Sequence, residues 1–431
     1  MISTTLIFIL IFFILGVPVS FAVGLAGILG VLLSGNGMVA GYIVAQRMGS
    51  DLFGFTLLCI PLFMMAGDIM AKAKISERLI RFATAAFCWL RGGVGIVCVF
   101  ANAIFAGITG SGIAAINSVG QACIPAFEEA KYEKKFYAAL IAGGGGLGPI
   151  IPPSGTMIMY SLATGMSVTR MFVGGIGPGL LISLGMCVLC MVYAKKHNID
   201  HNKGQFNLKT LLKEFMNAVF ALLMPLILMG TVILGVCTPT EAGILACLYG
   251  MFVGLFIYKT LTFKDIGKIF INTANASGMI LMVIATTGFL SYLFARDGTA
   301  AQVADLFSLI PGMDNKYIFY GVLMVFFFVV GIPLEVGPLL RILMPLIYPL
   351  VLRSGIDPLV FGISAVCFAV IGNLSPPVGH YIFVSMKATK CPYIEIEKPM
   401  WLITFIFMGV VLFSGFFANG IITWLPQLWL S

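Results

Sequence analysis

Gly148-Pro-Ile-Ile-Pro-Pro-Ser-Gly155 and Gly372-Asn-Leu-Ser-Pro-Pro-Val-Gly379 are two versions of one motif, set 224 positions apart. Each interrupts a long apolar segment at the matching place in its half of the chain. Proline has no N–H and clashes with the preceding turn, so a double proline stops a helix. The flanking glycines reach backbone conformations that other residues avoid. Inside a membrane, such a stop leaves carbonyls and amides in need of partners from protein, water, an ion or a cargo. Glycine and proline can merely kink a membrane helix. Duplication in register points further, to broken helices around a mid-membrane binding site.

The composition fixes the medium. The chain is 60% hydrophobic and 10% charged, with a mean hydropathy of +1.06. Soluble domains are about 25% charged, so this sequence cannot build a water-facing surface. Apolar runs long enough to cross roughly 30 Å of hydrocarbon recur from Leu6 to Leu430. The expectation is an all-α polytopic membrane protein embedded in a lipid bilayer. Residues 1–33 lack a basic flank and a small-residue cleavage site, and read as a retained segment broken near Gly16-Val-Pro18.

Several rival chemistries fall away. The net charge of +8 comes from short interhelical loops, which points to membrane orientation rather than nucleic acid. Cys187-Val-Leu-Cys190 has redox spacing, but on an apolar helix it reads as two buried small residues. His197 and His201 are four apart in a polar linker with no third ligand, and His380 stands alone. Gly143-Gly-Gly-Gly-Leu-Gly148 lacks the strand context of a dinucleotide loop and suits close helix packing. There is no Walker motif, hence no sign of ATP. No nucleophile–base or metal constellation lies within the apolar segments, so an enzyme is not expected.

The 224-position offset carries more than the prolines: Gly107-Ile108 maps onto Gly331-Ile332 and Pro125 onto Pro349. Only seven of 49 positions match between 107–155 and 331–379, so the repeat rests on where the matches cluster. Loop charge tests the orientation of the halves. Lys72, Lys74, Arg78, Arg81 and Arg91 face one acid, Glu77, whereas the equivalent stretch sets Arg296 against Asp297, Asp305 and Asp314. Lys131, Lys134 and Lys135 likewise contrast with Arg353 and Asp357. After the breaks the bias flips, with Arg170 alone in the first half against Lys387, Lys390 and Lys398. Basic loops stay in the cytoplasm, so the halves are expected as inverted-topology repeats: 1–194, a cytoplasmic linker 195–214, and 215–431. Both termini lack Lys and Arg, and Trp424 and Trp429 suit an interface; both ends are placed outside.

Each half is expected to run in one order. An opening stretch kinks at Gly16-Val17 or Gly235-Val236, and an interfacial segment follows near 38–56 or 259–272. A helix then ends in the charged loop. A re-entrant hairpin comes next, its flanks too short to span, with its tip at 107–112 (Gly107-Ile-Thr-Gly-Ser-Gly112) or 331–337 (Gly331-Ile-Pro-Leu-Glu-Val-Gly337). The broken helix and a closing helix (172–194 or 400–423) complete the half. Thr109, Ser111, Ser154 and Thr156 offer hydroxyls at the first tip and break, and Asn373 and Ser375 offer polar groups at the second. Freed carbonyls suit a small cation, and half-helix N-termini suit a carboxylate. Glu335, at the second tip, is a cation ligand, a proton carrier or a cap. Asp68 and Glu241 read as helix caps, and Arg341 either faces an anion or snorkels.

Gly148-Pro-Ile-Ile-Pro-Pro-Ser154, Thr238-Pro-Thr-Glu-Ala242, Pro61-Leu-Phe63 with Ala66-Gly-Asp68, and Gly175-Ile-Gly-Pro-Gly179 together resemble the large permease subunit of tripartite ATP-independent periplasmic (TRAP) transporters. The resemblance spans nearly the whole chain. It implies an elevator-type secondary transporter in the bacterial inner membrane, importing sialic acid, other sugar acids or dicarboxylates by sodium symport. It also implies a separate small four-helix membrane subunit and a periplasmic substrate-binding protein as partners. By this resemblance two or more sodium sites join each tip to the break of its own half. One takes Ser111 with Gly148, Pro152 and Gly155; the other takes Gly331, Glu335 and Gly337 with Gly372, Ser375, Pro376 and Gly379. The organic anion then lies between the tips, near Thr109, Ser111, Ser154, Thr156 and Asn373. The alternative is a cation/proton antiporter of related fold that uses Glu335.

Overall fold

The computed structural model describes residues 2–33, 37–50, 52–199, 206–308, 312–313, 315–417 and 419–429, and every regular element among them is a helix. The first half holds α1 (Ile2–Ile14), α2 (Val19–Leu33), α3 (Gly37–Ser50), α4 (Cys59–Lys72), α5 (Ile75–Phe87) and α6 (Gly93–Thr109). It continues with α7 (Gly112–Ala115), α8 (Gln121–Glu129), α9 (Lys134–Gly146), α10 (Gly155–Thr164) and α11 (Val168–Lys196). The second half holds α12 (Leu208–Ile233), α13 (Pro239–Phe252), α14 (Phe263–Arg296), α15 (Thr299–Ser308) and α16 (Lys316–Gly331). It ends with α17 (Val336–Ser354), α18 (Pro358–Leu374), α19 (His380–Thr389), α20 (Tyr393–Leu412) and α21 (Gly420–Trp429). Seven helices among the described residues are long and apolar enough to cross a membrane.

The repeat is visible in the element boundaries. The starts of α6 and α16, α9 and α18, α10 and α19, and α11 and α20 keep the 224-position spacing to within one residue. The chain also departs from the expected order in physically readable ways. The opening stretch of each half is two helices rather than one kinked helix, because Gly16 and Gly235 turn the chain at φ values of 76° and 68°. The first interfacial segment is a separate helix, α3. Its counterpart, expected near 259–272, is instead the beginning of α14, a single helix of 34 residues. That helix runs through Gly267, Gly278 and Gly288, since each interior glycine costs only about 1 kcal/mol.

The charged stretches are also more ordered than loops. Residues 72–91 contain α5, whose Arg78 guanidinium lies 3.7 Å over the Tyr258 ring. One hairpin flank, α17, is 19 residues and long enough to cross, because the helix runs through Pro345 and Pro349. The second closing helix is α20 with a π turn at Phe413–Phe417, then α21. The linker carries α11 to Lys196, and Asn207 caps α12 through the Lys209 and Thr210 amides. His201 and Lys203 within it, and Asp314 farther on, lie outside the described residues. Near the linker Glu133 meets Lys135 Nζ at 2.7 Å and His197 Nδ1 at 3.5 Å. The lysine holds that carboxyl below its ordinary range.

Packing interleaves the halves. Tyr160, on α10, donates to the Pro358 carbonyl at 3.0 Å, and Ser385, on α19, donates to the Ala138 carbonyl at 2.6 Å. Each half-helix beyond a break therefore seats on the other repeat. The glycine run makes α9 a close neighbour on all sides. A methyl added at Gly143, Gly144, Gly145 or Gly146 would stand 2.6–2.8 Å from Ile403, Asn102, Ile116 or Leu374 respectively. This is the packing role read from the sequence.

Candidate functional site

Glycine lets each tip touch the break of its own half, backbone to backbone. In the first half α6 stops at Thr109, and Gly110 turns the chain at a φ of 60°. A methyl on Gly110 would stand 2.6 Å from the Pro153 carbonyl, and one on Gly148 would stand 2.5 Å from the Gly112 nitrogen. Gly107 lies against the Pro152 carbonyl in the same seam. In the second half a methyl on Gly372 would stand 2.5 Å from the Phe328 carbonyl oxygen, and one on Gly331 would stand 2.7 Å from that of Ala369. Asn373 fastens this contact. Its Nδ2 donates to the Gly331 and Leu334 carbonyls, both at 2.9 Å, with the Ala369 oxygen at 3.2 Å.

The breaks themselves are alike in a way the sequence does not announce: Pro152-Pro153 and Pro376-Pro377 are both cis. Ser154 stabilises the first. Its Oγ donates to the Pro149 carbonyl at 2.6 Å and accepts from the Met157 amide at 3.3 Å, capping α10. At the second, buried Ser375 donates to the Ile371 carbonyl at 2.6 Å, and Gly379 sits against the Asn373 and Ser375 carbonyls. Pro376 is buried beside them.

Between the two tips lies a cavity of about 530 Å³, within the usual size of a small-ligand site. Thr109 and Ser111 line it from the first tip, and Gly155 and Thr156 from the start of α10. Glu335 and Gly337 line it from the second tip, at the start of α17. Two half-helix N-termini thus open into one space, each with amides that its own helix leaves unbonded and with partial positive charge. Of the residues expected at the anion, Ser111 and Thr156 face this cavity; Thr109 lines it but is buried, its hydroxyl donating to the Phe105 carbonyl at 3.2 Å, and Ser154 and Asn373 are buried in the seams. Of those expected at sodium, Ser111, Gly155, Glu335 and Gly337 line it; Gly148, Pro152, Gly331, Gly372, Ser375, Pro376 and Gly379 belong to the tip–break seams.

The carboxylates sort themselves. Glu335 occupies the N-cap position of α17 but makes no capping hydrogen bond, and its side chain is exposed. Asp68 is not a cap: it accepts from Thr273 Oγ1 at 3.1 Å and ties α4 to α14. Glu241 is the expected cap, closing a reciprocal box with Thr238. Arg341 is buried on α17, away from the cavity lining. Three features were missed. Tyr381, on α19, reaches the cavity. Ile60, Phe63 and Met64 of α4 form one apolar wall, and Ala276, Met279, Ile280 and Val283 of α14 form another. The α14 spacing puts all four on one helical face, a signal available in the sequence.

A multi-span helical body whose broken helices enclose a central cavity defines a membrane permease rather than an enzyme. The chain belongs to the family described as "Tripartite ATP-independent periplasmic transporter, DctM component", whose profile matches residues 6–419. It is 32% identical to the C4-dicarboxylate TRAP transporter large permease protein DctM of Vibrio cholerae, covering 99% of this chain and 98% of that one. It is 29% identical to the 2,3-diketo-L-gulonate TRAP transporter large permease protein YiaN of Escherichia coli, covering 97% and 96%. The fold is shared with Neisseria gonorrhoeae MtrF, whose structure illuminates "a Class of Antimetabolite Efflux Pumps". That likeness has a TM-score of 0.61 at 11% identity, over 89% of this chain and 85% of MtrF.

Proposed function

We propose that the chain is the large permease subunit of a sodium-coupled symporter that imports a small organic acid across the bacterial inner membrane. A separate small membrane subunit and a periplasmic binding protein that delivers the acid would complete the system. The observation that carries this reading is the cavity shared by both tips, into which the N-termini of α10 and α17 open. A carboxylate is stabilised by such termini. The seams between tip and break supply the complementary chemistry for sodium, since backbone carbonyls and the Ser111 hydroxyl are hard oxygen donors. Gly148 to Gly155 and Gly372 to Gly379 would hold the ion in each half.

In this reading the repeats are inserted with opposite orientation, and the hairpins with their broken helices move as one body against a scaffold that includes α4 and α14. The relatives named for C4-dicarboxylate and 2,3-diketo-L-gulonate make an organic acid the natural cargo class. The test is uptake into proteoliposomes holding the permease, its small subunit and the cognate binding protein. Uptake should require an inward sodium gradient. Flux that ignores sodium but follows a proton gradient, and is abolished by Glu335→Gln, would support a cation/proton exchanger instead.

A further inference from the structure

We infer that the cargo carries a single carboxylate on an apolar body, with a hydrogen-bond donor next to the carboxylate. This rests on the reading of the cavity as the cargo site. The first observation is charge. Among the described residues the cavity is lined by one ionisable carboxylate, Glu335, and by no lysine, arginine or histidine. Capture of an anion then falls to the N-termini of α10 and α17 and to the hydroxyls of Ser111, Thr156 and Tyr381, since Thr109 gives its proton to the Phe105 carbonyl. Those groups suffice for one carboxylate. A second would have no basic side chain to pair with and would stand near Glu335, where like charges repel.

The second observation is the wall. Opposite the tips, α4 contributes Ile60, Phe63 and Met64, and α14 contributes Met279, Ile280 and Val283. None of these side chains offers a conventional hydrogen-bond partner. A polyhydroxylated acid would leave hydroxyls desolvated along that side, which is unfavourable; a branched or linear hydrocarbon body would fill it favourably. The third observation is Glu335 itself. It stands at a helix start yet does not cap it, and an ionised carboxylate only accepts hydrogen bonds. Because that exposed carboxylate is available as an acceptor at the cavity wall, a hydroxyl or ammonium group beside the cargo carboxylate fits it.

The test is ligand-induced thermal stabilisation of the purified permease–small-subunit complex in sodium buffer, which bypasses selection by the binding protein. The probes are 2-hydroxy-4-methylpentanoate, leucine, 4-methylpentanoate, succinate and gluconate. Either 2-hydroxy-4-methylpentanoate or leucine should bind at least about tenfold more tightly than succinate and gluconate, a difference of ~1.4 kcal/mol. Whichever of the two wins identifies the donor as hydroxyl or ammonium. In Glu335→Gln, succinate should gain about tenfold, and the advantage over 4-methylpentanoate should shrink. Succinate or gluconate binding as tightly as the branched acids to the wild-type complex would overturn the inference, whether or not the variant folds. So would Glu335→Gln abolishing stabilisation by sodium itself, since Glu335 would then serve the cation. If no acid stabilises the complex, the cavity is not the cargo site, and the underlying reading fails with it.

Discussion

Asn373 sets one nitrogen among three carbonyl oxygens, those of Gly331, Leu334 and Ala369. Its two N–H bonds thereby hold the second tip onto its break. Removing it would leave buried acceptors bare, at about 1–3 kcal/mol for each group that loses its partner. Asn373→Leu should lower the thermal unfolding midpoint markedly in detergent; an unchanged midpoint would contradict the clamp. The glycines give a sharper contrast. Gly148→Ala and Gly372→Ala put a methyl 2.5 Å from backbone atoms, whereas at Gly155 nothing lies within 4 Å of the added carbon. The first two should lose sodium-dependent uptake or yield of folded protein. Gly155→Ala should fold normally and show its effect, if any, in cargo affinity. Similar behaviour in all three would argue against the seams as tight backbone contacts.

At the scale of elements, Ser154→Ala tests whether the polar residues near a break serve cargo or scaffold. The side chain caps α10 from a buried position, so its loss should cost about 1 kcal/mol of stability. Cargo affinity measured on the remaining folded protein should stay near wild type. A large loss of affinity with unchanged stability would return Ser154 to the cargo site. Helix breaks, tips and repeat spacing were legible in the sequence because proline and glycine impose them locally. That α3 is a separate helix while its counterpart is the start of α14 was not, because isolated glycines punctuate both stretches, at 49 and 54 in one and at 267, 278 and 288 in the other. The burial of Ser154 and Asn373 in the seams was not legible either, because a polar side chain at a break looks the same in sequence whether it faces cargo or bonds a carbonyl. The apolar wall of α14 escaped notice because a stripe of Ala276, Met279, Ile280 and Val283 is also what any helix buried in protein presents.

For the whole molecule, the loop charges predict opposite insertion of the halves. A cysteine at Lys209, in a chain otherwise free of cysteine, should react with a membrane-impermeant thiol reagent only from the cytoplasmic side. Reaction in intact cells would reverse the orientation. On the proposed reading, α14 touches the part that would move. At 34 residues it is about 51 Å long, well beyond the roughly 30 Å of hydrocarbon, so it must tilt or project. Its cavity face, Ala276 with Met279, Ile280 and Val283, carries no conventional hydrogen-bonding side chain and includes a methionine, whose unbranched side chain reshapes easily. A hairpin that travelled past that face, as proposed, would have no polar bond to it to break and remake at each step. Such a face would act as a greased bearing: stations along the path would differ little in energy, and ions and cargo, rather than the wall, would decide where the hairpin stops.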